Sequence, residues 1–390
     1  MGLFNGVKNN ETVAVFDIGS GSVGGALARL NTNGKPEVFS VSREPIAFQQ
    51  NFSFQKFLSS MLQALNNTSQ VLSRAHTSPR HIFCFLASPW YASQTRVIKF
   101  SKNTPFVFSK KLADNLIYKE IENFERAHLE KHLGPKGHAR PIEHKIMSVK
   151  LNGYSVSNPI GQRALAVEMT MFISMSPESI LLAIKEAIGH FFGHQIHFSS
   201  FPFASFLVCR VLFKNKSDFI LMDAGSEITD VSLIKNNIIE ESFSFPLGKN
   251  FLIKSLISGL GMTQTEAVSA LTVFLSEKLQ DSSREQVTQV LKNAQDEWLK
   301  YFRNTLTHIT HDLSLPSEII LTADDDVAPW FIETIKKEEY NQNTLTGKNF
   351  NVIMLDTKAF SNVLNLDKVQ DRDPFLMLEA VFAKEIKGIK

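Results

Sequence analysis

Two stretches, far apart in the chain, carry residue types that can hold a phosphate. The first is Val13-Ala14-Val15-Phe16-Asp17-Ile18-Gly19-Ser20-Gly21-Ser22-Val23. The second is Phe219-Ile220-Leu221-Met222-Asp223-Ala224-Gly225-Ser226-Glu227-Ile228-Thr229-Asp230-Val231. Each is an apolar β-prone run, then Asp-x-Gly, then small or hydroxyl residues, then a second β-prone run. That reads as strand, tight turn, strand. Glycine in the turn lets backbone N–H groups approach an anion. A carboxylate at the strand end can hold a hydrated cation beside the phosphates. The expected phosphate-binding groups are therefore Asp17, Gly19, Ser20, Gly21 and Ser22 on one side and Asp223, Gly225, Ser226 and Thr229 on the other. Asp17 and Asp223 would orient Mg²⁺ through its waters.

Other chemistries fit less well. Gly19-Ser20-Gly21-Ser22-Val23-Gly24 matches the dinucleotide fingerprint, but that motif needs a helix to follow. Here Asn31-Thr32-Asn33-Gly34 separates two short β-prone runs, which is hairpin grammar. His190, His194 and His197 have a spacing that could meet zinc at a helix end, without a cysteine or a clear fourth ligand. His308 and His311 are three apart and similarly isolated. There is no Gly-Lys-Ser/Thr phosphate loop, and no Ser-His-Asp order stands out.

The elements that would position the two loops follow from periodicity. Helical spacing covers residues 52–76, 110–131, 177–192, 251–261, 263–279, 283–313 and 374–389. Strands are expected at 82–87, 93–100, 144–152, 164–175, 319–322 and 352–356. Asn236-Asn237 reads as a hairpin turn, and Asp373-Pro374 as a cap followed by proline at the first helical position.

This order resembles the actin-like ATPase superfamily, FtsA/PilM type, with the division actin FtsA first and the pilus-assembly homologue PilM second. Gly153, Asn158-Pro159-Ile160-Gly161 and the run Val167 to Ile173 resemble the extra subdomain of FtsA. The resemblance implies an α/β, actin-like (ribonuclease H-like) two-domain fold with an inserted α+β subdomain in the first domain. The implied divisions are 1–80 and 176–215 for the first domain, 81–175 for the insert, 216–355 for the second domain with helices over about 250–315, and 356–390 for a return to the first. It also implies ATP with Mg²⁺ as ligand, and a third nucleotide motif at Ile319 to Asp326 with Ala323 and Asp324 near the nucleoside. The usual glycines of that motif are replaced by Ala323-Asp324-Asp325-Asp326. Three acids there repel a polyphosphate unless a cation intervenes, and an Asp can instead cap the next helix. ATP binding kept, weakened or lost all stay open. Superfamily members often carry a Gln or Glu near Phe201 to orient the attacking water, and this chain has no obvious equivalent, so slow hydrolysis at most is expected.

The implied role is a nucleotide-binding scaffold of cell division. The alternatives are a cytoplasmic scaffold of type IV pilus assembly, a protein-binding pseudo-ATPase, and a small-molecule kinase that lacks a candidate catalytic carboxylate. Implied partners are an FtsZ-like protein or the cytoplasmic tail of a membrane protein, with possible self-polymerisation. The few residues between Leu279 and Arg284 leave no room for the strands with which FtsA meets FtsZ. PilM-like proteins need no anchor of their own.

Composition agrees with a globular chain long enough for two domains: 390 residues, 43% hydrophobic and 21% charged. A net charge of +2 argues against a nucleic-acid-coating surface. Cys84 and Cys209 sit in apolar runs and read as buried free thiols of a reducing compartment. The expected location is the cytoplasm, at the inner face of the membrane. Met1 to Phe4, or Lys384, Lys387 and Lys390 on the last helix, could touch that surface.

Overall fold

The computed structural model describes residues 11–31, 34–132, 138–276, 281–309, 315–337, 349–366 and 372–388. Met1 to Phe4, His311, Lys390 and the side chain of Lys387 lie outside the described residues.

The chain opens with a three-strand meander, β1 (Glu11–Ile18), β2 (Ser22–Leu30) and β3 (Glu37–Pro45), followed by helix α1 (Phe54–Ser73) and strand β4 (His81–Leu86). Strand β5 (Ala92–Val107), helix α2 (Lys110–His132) and strands β6 (Ala139–Leu151), β7 (Tyr154–Ser155) and β8 (Arg163–Pro177) come next. Then follow α3 (Glu178–Gly189), β9 (Ile196–Ser200) and α4 (Phe201–Leu212). A second meander, β10 (Phe219–Ala224), β11 (Thr229–Lys235) and β12 (Ile238–Phe245), leads to helices α5 (Lys249–Leu260), α6 (Gln264–Leu275) and α7 (Asp281–Ile309). The chain closes with β13 (Glu318–Ala323), α8 (Ala328–Lys337), β14 (Asn351–Met354) and α9 (Pro374–Gly388).

Two five-stranded sheets have the same order, β3-β2-β1-β4-β9 and β12-β11-β10-β13-β14. In each the meander is antiparallel, and the next strand pairs parallel with the first of the meander. The β1–β2 pairing removes the dinucleotide reading, because a strand and not a helix follows Gly24. Asn236 and Asn237 take φ of 51° and 59°, the left-handed pair that a two-residue hairpin turn requires.

The insert is a third sheet, β5-β8-β6-β7, with α2 beside it. The strand at 81–86, assigned to the insert from sequence, lies in the first sheet instead. It pairs with β1 from Val13–His81 to Ile18–Leu86 and is apolar on both faces, as a central parallel strand must be. Strand β9 was not anticipated. It pairs with β4 and places His197 on a strand next to the rings of His81 and Phe83. His190 is at the end of α3, and His194 lies 3.3 Å from Ser78 Oγ, so the three histidines do not converge.

The pleat of β1 sends Val13 and Val15 to one core and Ala14, Phe16 and Ile18 to another. Strand β10 does the same, with Phe219 and Leu221 on one face and Ile220 and Met222 on the other. The faces bearing Val13 and Phe219 share one core with residues of α4 and α9. Asp17 and Asp223 continue those odd-numbered inner faces, so strand periodicity alone directs both carboxylates toward the space between the sheets.

Candidate functional site

The two loops close in the same way. Gly19 N donates to Ser22 O at 3.1 Å, and Gly225 N donates to Ile228 O at 3.0 Å. They meet across the cleft. Ser20 Oγ accepts from Ser226 N at 3.1 Å and from Glu227 N at 3.0 Å. Gly21 has no side chain because a Cβ there would lie 1.8 Å from Ser226 Oγ. Behind the second loop, the start of α5 is packed against it: Lys249 N donates to Gly225 O at 3.0 Å and Asn250 N to Ser226 O at 2.7 Å. A Cβ on Gly248 would stand 2.2 Å from Gly225 O, so α5 seats only over a bare backbone.

Arg43, on β3, enters the cleft from the first domain. Its Nη2 donates to Asp17 Oδ2 at 2.8 Å, its Nη1 to Ser22 Oγ at 2.8 Å and its Nε to Asp373 Oδ2 at 2.6 Å. Asp373 meanwhile caps α9, its Oδ1 accepting from Phe375 N at 3.0 Å and Leu376 N at 3.2 Å. Burial raises the Asp17 carboxyl, and the Arg43 charge opposes that shift. Burial by itself would lower Arg43, but Asp17 and Asp373 outweigh it and hold the guanidinium charged.

The second domain supplies Asp223, whose Oδ1 accepts from Thr322 Oγ1 at 2.7 Å. Burial and then the neighbouring Asp230 push its carboxyl well up. Asp230 accepts from Ser88 Oγ at 2.8 Å and from Ser244 Oγ. Lys249, from the start of α5, pairs with two of the three acids of the turn, its Nζ lying 3.1 Å from Asp324 Oδ2 and 2.8 Å from Asp326 Oδ2. Burial would lower this amine, but Asp324 and Asp326 raise it on balance. Asp324 meets α8 through its backbone, its carbonyl accepting from Val327 N and Ala328 N. Lys249→Ala removes the counter-charge and is expected to lower stability by about 1 kcal/mol, less in high salt. Urea denaturation at low and high NaCl checks this.

Asp17, Gly19, Ser20, Gly21, Ser22, Asp223, Gly225, Ser226 and Asp324 all border one small cavity. Thr229 does not, since its hydroxyl donates to Leu247 O at 2.7 Å. Ala323 lies in the second-domain core and borders, with Asp325 and Arg372, an adjoining opening of about 440 Å³ that shares Arg43, Asp324 and Phe375 with the small cavity. Sequence reading missed Arg43, Ser88, Phe201, Asp230 and Phe375, which also border the cavity. Arg43 in Ser42-Arg43-Glu44 carries no local signal, because its partner Asp373 lies at the other end of the chain.

These residues do not fit magnesium and a nucleotide as they stand. The cavity between the loops is about 40 Å³, room for about one water. Arg43 holds the first carboxylate, and Ser20 holds two N–H groups of the second loop.

No protein-family profile matches the chain, and no curated protein matches it in sequence. Solved structures do match in shape. A PilM–PilN type IV pilus biogenesis complex aligns over 97% of this chain and 98% of that one, with a TM-score of 0.61 and 14% identity. MreB 5 of Spiroplasma citri bound to AMPPNP aligns over 97% and 98%, with a TM-score of 0.46 and 9% identity. The ethanolamine utilization protein EutJ of Carboxydothermus hydrogenoformans aligns over 97% and 92%, with a TM-score of 0.45 and 12% identity. The chain has the actin-like ATPase fold. The cleft bordered by Asp17 and Asp223 lies between the two five-stranded sheets of that fold.

A larger cavity lies on the other side of Ser88 and Asp230. It measures about 650 Å³, within the usual range for ligand sites. Its walls come from three places: Pro89 and Tyr91 of the first domain, Ser93 and Met175 of the insert, and Ser242 to Ser244 of β12. Phe54 and Phe243 stand at 45% and 39% exposure and border it. Strand β12 is the edge of its sheet and β5 the edge of the insert. The two edges touch where Thr95 Oγ1 donates to Ile239 O at 2.8 Å.

Proposed function

We propose that this protein is a PilM-like scaffold that grips an extended cytoplasmic segment of a membrane protein. The observation that carries the reading is the groove between the insert, the first domain and β12. It is apolar and hydroxyl-lined, and it runs beside an edge strand. An edge strand can accept an extended peptide through main-chain hydrogen bonds while side chains enter neighbouring hollows. The Arg43 and Ser20 contacts that occupy the space between the two loops support binding of a protein over turnover of a nucleotide. The neighbour described as a PilM–PilN complex of type IV pilus biogenesis supports the choice of partner class. No helix among the described residues is long and apolar enough to cross a membrane, so the reading has the partner supply the membrane link.

The division-actin reading rests on the turn at Asn158 to Gly161, where Gly161 takes φ +87° and its N–H donates to Phe108 O at 2.8 Å, and on the long helix α7 that precedes β13. Against it, no strand lies between β12 and β13 among the described residues, where an FtsZ-binding surface would sit.

A photo-crosslinking residue at Phe243 tests the proposal in living cells. The expected adduct is a cytoplasmic segment of an inner-membrane pilus-assembly protein. A synthetic peptide of that segment should bind the purified chain, and Ser93→Trp, which fills the groove, should weaken it about tenfold or more, about 1.4 kcal/mol. An adduct with a tubulin-like protein, or peptide binding that Ser93→Trp leaves unchanged, overturns it.

A further inference from the structure

The cleft between the two loops carries a carboxylate that could hold a cation and N–H groups that could hold a polyphosphate, and both are satisfied by the chain. Asp17 would orient a hydrated cation, and it is paired with the Arg43 guanidinium. The guanidinium has a built slot. A Cβ on Gly24 would lie 2.6 Å from its Nη2 and 2.8 Å from its Cζ, so a side chain there would push the guanidinium aside. The Phe375 ring flanks it with its centroid 5.5 Å from Cζ, and Asp373 fixes its far edge. The Arg43 side chain is 28% exposed, against 5% for Asp17.

The anion side is filled in the same manner. Backbone N–H groups of the second loop are the natural donors to a phosphate oxygen. Ser226 N and Glu227 N instead donate to the Ser20 hydroxyl oxygen. Phe201, at 1% exposure, borders the same cavity with Phe375 and adds apolar wall where polar groups would be needed.

We infer that the two domains are held closed by the chain itself, the Ser20 hydroxyl taking Ser226 N and Glu227 N in place of a phosphate oxygen while Arg43, from within the first domain, occupies Asp17 in place of the cation, so that closure needs no nucleotide. This inference does not depend on what the groove binds.

The test uses the full chain with no nucleotide added. Hydrogen exchange of the Ser226 and Glu227 amides should be slow in the wild type. Ser20→Ala should speed it by about tenfold or more, the loss of one modest hydrogen bond. Calorimetry with magnesium and ATP at up to about 1 mM should show no binding to the wild type. Arg43→Ala strands two carboxylates and could fail to fold, so the second variant is Asp17→Asn with Arg43→Met, which removes the buried Asp17 charge with its partner and leaves Asp373 held as the cap of α9. That variant should fold and still not bind, because Ser20 of the first loop still holds Ser226 N and Glu227 N of the second. Fast exchange of both amides in the wild type overturns the inference. So does magnesium-dependent ATP binding by the wild type tighter than about 100 μM.

Discussion

Replacing Glu143 by alanine is expected to lower stability by about 3 kcal/mol or more, since each stranded buried polar group costs about 1–3 kcal/mol. Glu143 lies on β6 and is the joint between the insert and the first domain. Its Oε1 accepts from Ser174 Oγ at 2.9 Å and Ser200 N at 3.0 Å, and also from Ser200 Oγ. Its Oε2 accepts from Ser199 Oγ at 2.7 Å. Ser199 and Ser200 end β9, the strand that leads into α4 and the cleft. One carboxyl group therefore satisfies four donors from two sheets, and such networks weaken as a unit. Urea denaturation gives the size of the loss, and Glu143→Gln should lose about half as much because one acceptor oxygen remains. A loss under about 1 kcal/mol for alanine would mean that the hydroxyls find other acceptors.

The second large effect is a pH dependence. Glu379 of α9 is fully buried, and neither carboxyl oxygen has a hydrogen-bond partner among the described residues. Burial pushes its carboxyl well above the ordinary value of 4.5, Asp17 adds to the shift and Arg43 opposes it. The folded chain keeps a proton that the unfolded chain releases as pH rises past that ordinary value. The native state therefore binds more protons, and each pH unit from there to the raised folded value removes about 1.4 kcal/mol. Below the ordinary value both states are protonated and the group is silent. Glu379→Leu is close in volume and removes the titration. It is expected to be more stable than the wild type at pH 8, with the gain shrinking as the pH falls toward 4.5. Urea denaturation of both proteins across that range gives the difference curve. A difference that does not change with pH would show that Glu379 is not the titrating group. Burial also raises Asp223, Asp230 and Glu143, so the wild type as a whole should be most stable in mild acid.

Much of the fold was written locally. The repeated Asp-x-Gly device gave two strand–turn–strand units, and the pleat placed both carboxylates on inner faces. Asn236-Asn237 and Asp373-Pro374 specify their own turn and cap, because φ preference and a short side chain act within a few residues. The acidic turn at Asp324 to Asp326 was legible as unusual, but its counter-charge Lys249 was not, because that lysine comes from the start of another helix.

The sequence by itself determined two matching loops that face one another and the strands that aim them. Only the tertiary structure decided that the loops touch. Arg43 and Asp373 are 330 positions apart and Ser20 and Glu227 are 207 apart. Nothing in their neighbours announces either pair. Those bonds form only once two sheets and a terminal helix have packed, since a charge pair or hydroxyl contact has no preferred sequence spacing. The same holds for the groove, which exists because the edges of two sheets meet at Thr95 and then diverge.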